Sequence, residues 1–598
     1  MGRGFAEILT RELAPAAGIY AITPARLHSF GAVLGRRPEN APGISSERAL
    51  AQAAGANRFA YGEYWLQREG LQARLTIEEL PAGKIHVISA SGADIVQTAA
   101  ALARQLSTQA GVYGTRNSAA IRAYVLGLED NDPAGAARHF QEAVAADPSF
   151  EPPYESLAQS RLQQRDRAGA AAVLQQAAVY RDRMPELERA QLAFSLASVK
   201  GDAAGRRQAL AERARLTPND PAVWASLGEN AVARQDYPEA VQFYEKALSV
   251  QPEDPALLNQ LGYANAYAGN LGGAVRALQQ YRNLRPADAN PLDSLGDVHL
   301  LLGRLREAED YYLQAARRDP SALSGAEYRK AAIARLMSGD IAGAAKLDKE
   351  YVDRRVQARD PLADYYRAEW NWITGDRKQA YQQLAVFAHA AESGALRQVA
   401  SEAYAELAVW SVALGDRSEA ARMAREAGLL AGPASAATAA MAQFLAQPAA
   451  PAPEWQARAD RAFPEPAAKP FKDRALVYAL LAGRQFAAAA PILKQLHENT
   501  SAAGDDAIPV MLAWCDMETG QPKEAAALVR LNPLPPRSAI EPFRVFYFPR
   551  LFYLRGRVAQ AAGQADAARE QFRLFLQLSG DTPLAWGEEA QARSQGSH

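Results

Sequence analysis

Between Asp220 and Pro320 the sequence repeats one pattern three times at a spacing of 34 residues. Small residues, leucines and prolines each return in register, and large side chains stand three residues before each leucine. The aligned columns are Gly228, Gly262 and Gly296; Ala240, Ala274 and Ala308; Leu227, Leu261 and Leu295; Pro252, Pro286 and Pro320; and Trp224, Leu258 and Leu292. Several independent columns agree through consecutive repeats, so the pattern predicts an array of identical structural units.

The columns have a physical explanation if each unit is a pair of antiparallel helices. Gly228 and Ala240 are then small because the two helices cross there and their backbones approach closely. Trp224 and Tyr244 fill the space around the crossing, and Pro252 ends the second helix. One such pair cannot bury its apolar face alone, so we expect the pairs to stack into a superhelix with a long concave surface.

The pattern resembles the tetratricopeptide repeat (TPR). The resemblance implies a mainly α fold, a TPR α-solenoid that winds as a right-handed superhelix of about ten to twelve hairpins. It also implies a role in binding proteins or peptides, although function depends on sites and not on the fold. Repeats begin near Asn117, and their spacing lengthens after Pro320 while turn glycines such as Gly339, Gly375 and Gly415 persist.

The presence or absence of the repeat pattern, together with local composition, divides the chain into five segments. We expect an α/β domain at 1–115, the TPR array at 116–432 with strict repeats at 220–322, an Ala/Pro-rich linker or irregular helices at 433–470, a TPR-like sub-array at 471–595, and a tag remnant at 596–598. Within the sub-array, Leu531 to Arg550 is rich in proline and aromatic residues, which predicts an irregular segment packed on the array by its rings.

The first 115 residues lack the repeat, and their pattern predicts an α/β or α+β layer that contains one sheet. Helices are expected at Gly4–Leu13, Ala25–Leu34, Ser46–Ala54 and Ala93–Ser107, and strands at Gly18–Thr23, Arg58–Trp65, Gln72–Glu79 and Lys84–Ala90.

This block resembles the TolB-like amino-terminal domain of bacterial multidomain proteins. The matching residues are Gly4 to Thr10, Ala49 to Arg58, Ala60 to Glu63 and the strand at Gln72–Glu79. The family usually opens with a further strand, which would lie before residue 1. The resemblance implies the sensory or protein-binding part of receptor-type serine/threonine kinases or winged-helix regulators, with the kinase, DNA-binding or membrane segment upstream.

Composition favours an interaction protein over an enzyme. The net charge of −1 gives no reason to expect a nucleic-acid partner, and the single cysteine excludes an intramolecular disulfide. No apolar run is long enough to cross a membrane. The histidines show no metal-ligand spacing and no phosphate-binding glycine pattern occurs, so we expect no catalytic residue, cofactor or metal. Either the cytoplasm or an extracytoplasmic, membrane-anchored position suits such a chain.

The predicted binding site is a peptide groove on the concave face, formed by first-helix positions beside the small column. The candidate residues are Glu229, Asn259, Tyr263, Tyr267, Asp293, Asp297, Arg329, Tyr365, Glu369 and Trp372. Amide and aromatic groups can bind an extended backbone, and the acidic members favour neutral or basic segments. The alternative for each is that it only solvates the inner face.

We therefore predict a non-enzymatic scaffold or sensory module of a signalling protein, with a protein or peptide partner. Two alternatives stay open. One is a structural subunit or assembly factor that uses the solenoid for contacts in a homo-oligomer. The other is a ligand-binding or enzymatic site in the α/β domain.

Overall fold

The computed structural model describes residues 2–22, 44–68, 70–80, 83–319, 325–465, 468–499, 507–534 and 540–596. It contains two compact units. The first comprises Met1–Ala231 and Glu239–Leu258, and the second comprises Val232–Pro238 and Asn259–His598.

The amino-terminal part of the first unit contains a three-stranded antiparallel sheet in the order β1 (Arg58–Gln67), β2 (Gly70–Glu79), β3 (Ile85–Gly92). Leu71 and Ala73 of β2 are buried on the face where Tyr64 stacks on Phe5. The helices of this part are α1 (Gly2–Leu13), α2 (Ile44–Ala53) and α3 (Ile95–Leu106). The three central strands are thus confirmed, and their antiparallel pairing makes the layer α+β.

The strand predicted at Gly18–Thr23 is wrong for its described part. Residues 18–22 form a turn followed by irregular chain, and Ala17 N–H donates to the Gln109 side chain at 2.8 Å instead of to a strand. An apolar run without a neighbouring strand has no ladder to join. Thr23 and the helix predicted at Ala25–Leu34 lie outside the described residues.

One hydrophobic core joins this layer to the first helical hairpin. Phe5 and Leu102 from the layer pack in the same cluster as Tyr124 and Phe140 from the hairpin. A methyl group at Gly4 would lie 3.3 Å from Val125, so the contact between α1 and the hairpin is close. The layer and the first repeat therefore stabilise each other.

Helical hairpins follow along the rest of the chain. The helices are α4 (Ser118–Glu129), α5 (Pro133–Ala146), α6 (Pro152–Gln163), α7 (Arg167–Ala178), α8 (Glu186–Lys200), α9 (Ala203–Leu216), α10 (Pro221–Ala233), α11 (Tyr237–Val250), α12 (Pro255–Tyr267), α13 (Leu271–Leu284), α14 (Asn290–Leu301), α15 (Leu305–Arg318), α16 (Ala326–Met337), α17 (Ile341–Gln357), α18 (Ala363–Ile373), α19 (Arg377–Ala390), α20 (Arg397–Leu414), α21 (Arg417–Leu430), α22 (Ala436–Leu445), α23 (Ala452–Ala462), α24 (Lys469–Ala482), α25 (Phe486–Asn499), α26 (Ala507–Glu518), α27 (Pro522–Leu528), α28 (Arg550–Ala561), α29 (Ala565–Ser579) and α30 (Glu588–Gly596).

The glycine column lies at equivalent crossings of the two helices in each hairpin. A Cβ at Gly228 would lie 2.6 Å from the Tyr244 ring, and a Cβ at Gly296 would lie 2.5 Å from Tyr312. Gly262 faces Leu278 in the same way, at 2.6 Å. Glycine is required because the second helix places a large side chain directly against the backbone of the first. The predicted basis of the repeat is confirmed.

The turns between paired helices are also those expected. Gly339, Gly375 and Gly415 adopt positive φ angles of 89°, 97° and 87°. The aspartate that follows caps the next helix: Asp340, for example, accepts the Gly343 N–H at 2.8 Å. These Gly-Asp pairs therefore end one helix and begin the next.

The two unusual stretches of the second unit are packed against the array. The Ala/Pro-rich stretch contains α22 and α23, whose Phe444 and Trp455 rings lie 5.0 Å apart and are buried. The described part of Leu531–Arg550 is irregular, and Phe543 stacks on Tyr478 at 4.3 Å. The prediction for this second stretch is confirmed. The domain boundaries themselves stay predictions.

Candidate functional site

The predicted groove residues differ widely in exposure. Glu229, in the first unit, is exposed, and Asn259 and Tyr263, in the second, are half-buried. The other seven are buried in the second unit: Tyr267, Asp293, Asp297, Arg329, Tyr365, Glu369 and Trp372. Most of the candidate side chains are therefore engaged within the protein.

A cluster around Lys330 connects three successive repeats of the second unit. Its ammonium group donates to both oxygens of Asp293, at 2.8 and 2.7 Å, and to Asp297 at 2.9 Å. The hydroxyls of Tyr263 and Tyr312 donate to Asp297 at 2.7 and 2.8 Å. Burial raises the pKa of Asp293 to about 6, Asp297 adds to the rise and Lys330 opposes it. The acidic groups are satisfied internally, so they hold α12, α14, α15 and α16 together.

A second cluster centres on Glu369. Arg329 donates to one of its oxygens at 2.7 Å and also to the Tyr366 carbonyl at 3.1 Å. The other oxygen lies 2.9 Å from the Arg544 guanidinium, which comes from the irregular segment. Glu369 is only 1% exposed, so these two arginines provide the charge compensation that a buried carboxylate needs.

Two more of the buried candidates contact the neighbouring repeat. The Tyr365 hydroxyl donates to Glu406 of the following repeat, and burial raises the pKa of Glu406 to about 8. Trp372 stacks on Trp410 with ring centres 4.1 Å apart and planes 3° apart. Both contacts join α18 to α20. Whether either residue binds a peptide stays a prediction.

One kind of polar contact recurs along the array. A side chain three residues before the small position bonds one residue after the small position of the next repeat. Arg329–Glu369 and Tyr365–Glu406 follow this rule in the second unit. In the first unit, the Ser195 hydroxyl donates to Glu155 at 2.7 Å across a comparable separation of 40 residues. The predicted groove columns thus cross-link adjacent first helices.

Sequence reasoning missed the partners that occupy this face. Glu406 carried a usable signal, because it occupies the same repeat column as Glu369, one repeat further along, whereas Lys330 lies beside Arg329 in neither predicted column. Arg544 carried none, since it lies far along the chain and in no repeat column. Asn532 is similar: its backbone N–H and side-chain amide donate to the carbonyls of Leu301 and Leu300, at 2.9 and 2.7 Å.

The described residues contain no group of three or more histidine, cysteine, aspartate or glutamate side chains placed to hold a metal ion. Cys515 is buried, and burial raises the pKa of its thiol to about 12, which disfavours the nucleophilic thiolate. His299 packs against Tyr311, with ring centres 5.2 Å apart. Among the described residues, no helix combines the length and apolar character needed to cross a bilayer.

Helical hairpins packed on their neighbours make up most of both units, and comparison with known families is consistent with the columns described above. Residues 223–256 and 292–323 match the tetratricopeptide repeat family. The chain therefore contains tetratricopeptide repeats, at the positions of α10–α11 and α14–α15. A search of curated proteins finds no match.

Several solved structures are similar at low identity. MamA from Desulfovibrio magneticus RS-1 is 19% identical over 29% of this chain and 97% of its own, with a TM-score of 0.26. PilW, a widely conserved type IV pilus biogenesis factor, is 18% identical over 34% and 96%, with a TM-score of 0.31. YrrB, a TPR protein with an unusual peptide-binding site, is 18% identical over 39% and 98%, with a TM-score of 0.24. Similarity this distant adds no argument about function.

Proposed function

We propose that the chain is a non-enzymatic protein-interaction module that binds a protein or an extended peptide on the inner face of its repeats. The observation that supports this most directly is the contact between Arg544 and Glu369. There the repeats already hold an irregular segment by a buried charge pair, with 2.9 Å between the guanidinium and the carboxylate. The half-buried Asn259 and Tyr263 are the proposed partner contacts in this unit.

The other predicted groove residues of the second unit would act indirectly, by fixing the helices that present Asn259 and Tyr263. The chemistry of this face favours a neutral or basic partner segment. Cations of the chain itself pair with the acidic residues of this face. Lys330 pairs with Asp293 and Asp297, and Arg544, from a non-helical segment, pairs with Glu369. Glu229, in the first unit, is proposed as a separate contact because it is exposed.

We further propose that the amino-terminal layer is TolB-like and that the chain is the sensory or scaffolding part of a larger bacterial signalling protein. The shared core of the layer and the first hairpin supports this proposal. Because Phe5 and Tyr124 belong to one packed cluster, a displacement of the hairpin would be transmitted to the sheet.

The alternative is a structural subunit that assembles through its outer faces. Large exposed apolar side chains favour it, including Val179 in the turn after α7 of the first unit, at 78% exposure, and Val386 on α19 of the second, at 72%. Isolated exposed apolar residues are common on monomers, so this evidence is weaker than the buried Arg544–Glu369 pair.

A photo-crosslinking experiment separates the two. A photoreactive amino acid at Asn259 should capture a partner in native cell extract, and the same group at the exposed Gln279 should not. The Tyr263→Ala variant should reduce the capture while leaving the mass in solution, measured by light scattering, unchanged. Equal capture from both positions, or a change of oligomeric state in Tyr263→Ala, would contradict groove binding.

A further inference from the structure

The first unit contains a cavity of about 740 Å³ that the repeat columns do not explain. It lies where the amino-terminal layer meets the first repeats. Its walls come from the end of α1, the connection at 111–116, the loop after α5 and the loop before α8. Several separate segments therefore converge on one space large enough for a small organic molecule.

Two cations line the cavity without a partner. The side chains of Arg116 and Arg183 are exposed, and neither makes a hydrogen bond or ion pair with any described residue. Arg11 lines the cavity as well, and its Nε donates to Glu7 at 2.7 Å. Two of the three guanidinium groups are thus available to an incoming acceptor.

The acidic groups of the lining are already occupied. Asp147 accepts hydrogen bonds from the Thr115 hydroxyl at 2.5 Å and from the Ser149 backbone and hydroxyl at 3.0 and 2.7 Å. Glu186 lies 3.3 Å from Arg215. The two carboxylates of the lining are therefore engaged within the chain, whereas the guanidinium groups of Arg116 and Arg183 are not.

A buried hydroxyl points to a ligand independently of the arginines. Tyr113 lines the cavity and is only 3% exposed, yet its hydroxyl has no hydrogen-bond partner. Its ring is fixed by Phe150, 5.6 Å away between ring centres. A buried donor without an acceptor is costly, and an acceptor atom from a bound molecule would satisfy it.

The remaining wall is apolar. Pro15, Val112, Leu187 and Leu216 contribute to it, and Val112 is 66% exposed. A ligand that only placed a charge between the arginines would leave this surface in contact with water. An apolar portion on the ligand would cover it.

We propose that this cavity binds a small amphipathic anion, with its carboxylate or phosphate group at Arg116 and Arg183 and its apolar part on the Val112 side. An oxygen of the ligand accepts a hydrogen bond from the Tyr113 hydroxyl. Guanidinium groups suit both head groups, since each offers the paired oxygens of a bidentate contact. The site does not depend on partner binding by the repeats.

The test is a thermal-shift and calorimetric titration of the whole chain with hexanoate, hexyl phosphate and inorganic phosphate at constant ionic strength. We expect saturable stabilisation by hexanoate or hexyl phosphate, and weaker stabilisation by inorganic phosphate, which lacks the apolar part. Hexanoate alone would identify a carboxylate site, and hexyl phosphate alone a phosphate site.

Variants locate the binding. Arg116→Gln combined with Arg183→Gln should weaken it at least tenfold, and Tyr113→Phe should weaken it several-fold while preserving the packing on Phe150. The control is Arg181→Gln, because Arg181 is 69% exposed, lies beside Asp182 and does not line the cavity. Failure of both amphipathic probes to bind, or binding that survives the double arginine change, would overturn the proposal.

Discussion

Two regions of the second unit are held together in different ways. In the repeats from Asn259 to Arg318, the contacts join residues at fixed separations, such as Tyr263 and Asp297, which lie 34 residues apart. Among the described residues from Leu531 to Gly596, several contacts are instead long-range and follow no repeat separation. Arg377, for example, bonds to Glu589, 212 residues away, and Asn532 bonds to Leu300, 232 residues away. A contact that recurs in successive repeats produces a periodic pattern in the sequence, whereas a long-range contact outside the repeats does not.

The difference also appears in the chemistry. The repeats rely on small residues that let helices approach, with polar cross-links added at the inner face. The carboxyl-terminal region relies on buried arginines, of which Arg550 is the clearest: its guanidinium lies 3.6 Å from the centre of the Trp514 ring and 4.5 Å from that of Trp586. Buried charges depend strongly on their partners, so the second region should be the more sensitive to single substitutions.

The largest effect is expected from Arg550→Ala. Arg550 and Glu588 are 1% and 2% exposed and bond at 2.6 Å, so the change leaves a buried carboxylate unpaired. The expected loss is about 3–5 kcal/mol. It should appear as faster hydrogen exchange in α30 and a lower denaturation midpoint for the carboxyl-terminal region.

Arg569→Ala is the matched control, because Arg569 is 46% exposed and its partner Asp566 is 98% exposed. Its cost should be within about 0.5 kcal/mol. If Arg550→Ala were equally mild, the buried arginines would contribute little and the contrast between the regions would fail.

The second prediction concerns the pH dependence of the Tyr365–Glu406 cross-link. Burial raises the pKa of Glu406 to about 8 from an ordinary value of 4.5, so the folded chain holds this proton more tightly than the unfolded chain. The stability from this group is therefore full below about pH 4.5 and is lost as pH rises towards 8. Glu406→Gln removes the loss, because the amide stays neutral and its oxygen can still accept the Tyr365 hydroxyl.

We expect Glu406→Gln to change stability little at pH 5 and to stabilise the chain at pH 9. One pKa unit is equivalent to about 1.4 kcal/mol, so the gain should be of the order of a few kcal/mol. Thermal melts of variant and parent at the two pH values measure it. Glu454→Gln, at a side chain that is 52% exposed, is the control. A pH-independent difference would show that Glu406 is charged in the folded protein.

The success of prediction follows the same division. Gly228, Gly262 and Gly296 could be placed at helix crossings because one steric requirement recurs at each. The same period gave the predicted groove columns, but it did not show what their side chains contact, and their place on a concave face stays a prediction. Arg544 reaches Glu369 only through the path of a non-repeating segment, and no local propensity or period encodes that path. The strand expected at Gly18–Thr23 was misassigned because an apolar run by itself does not specify a pairing partner.

The third prediction compares two glycines in neighbouring hairpins. Gly296→Ala places a methyl group 2.5 Å from the Tyr312 ring, whose hydroxyl is fixed by Asp297, so the ring cannot move freely. Overpacking of this kind costs about 1–3 kcal/mol. Gly272, in the first turn of α13, is exposed and its nearest neighbour would lie 3.4 Å from the new methyl group.

Gly272→Ala should therefore stabilise the chain, by up to about 1 kcal/mol, because alanine loses less backbone entropy in a helix. Denaturant titration of both variants gives the comparison. Opposite signs would confirm that the repeat glycines are steric requirements. Stabilisation by Gly296→Ala would mean that the hairpin can widen, which would weaken the physical explanation of the glycine column.

The smallest effect is expected for Tyr263→Phe, and it bears on the use of the inner face. The lost hydroxyl donates to Asp297 at 2.7 Å, while Lys330 and Tyr312 continue to satisfy that carboxylate. Because Tyr263 is half-buried, water can replace it, so the cost should be about 0.5–1.5 kcal/mol and nearer the lower end. Tyr312→Phe removes a fully buried donor to the same carboxylate and should cost more, since water cannot take its place.

Measuring both variants for stability and for capture by a crosslinker at Asn259 separates two roles. A loss of capture in Tyr263→Phe at nearly unchanged stability would show that the hydroxyl serves a partner, whereas equal losses of stability in both variants would show that it serves mainly to join neighbouring repeats.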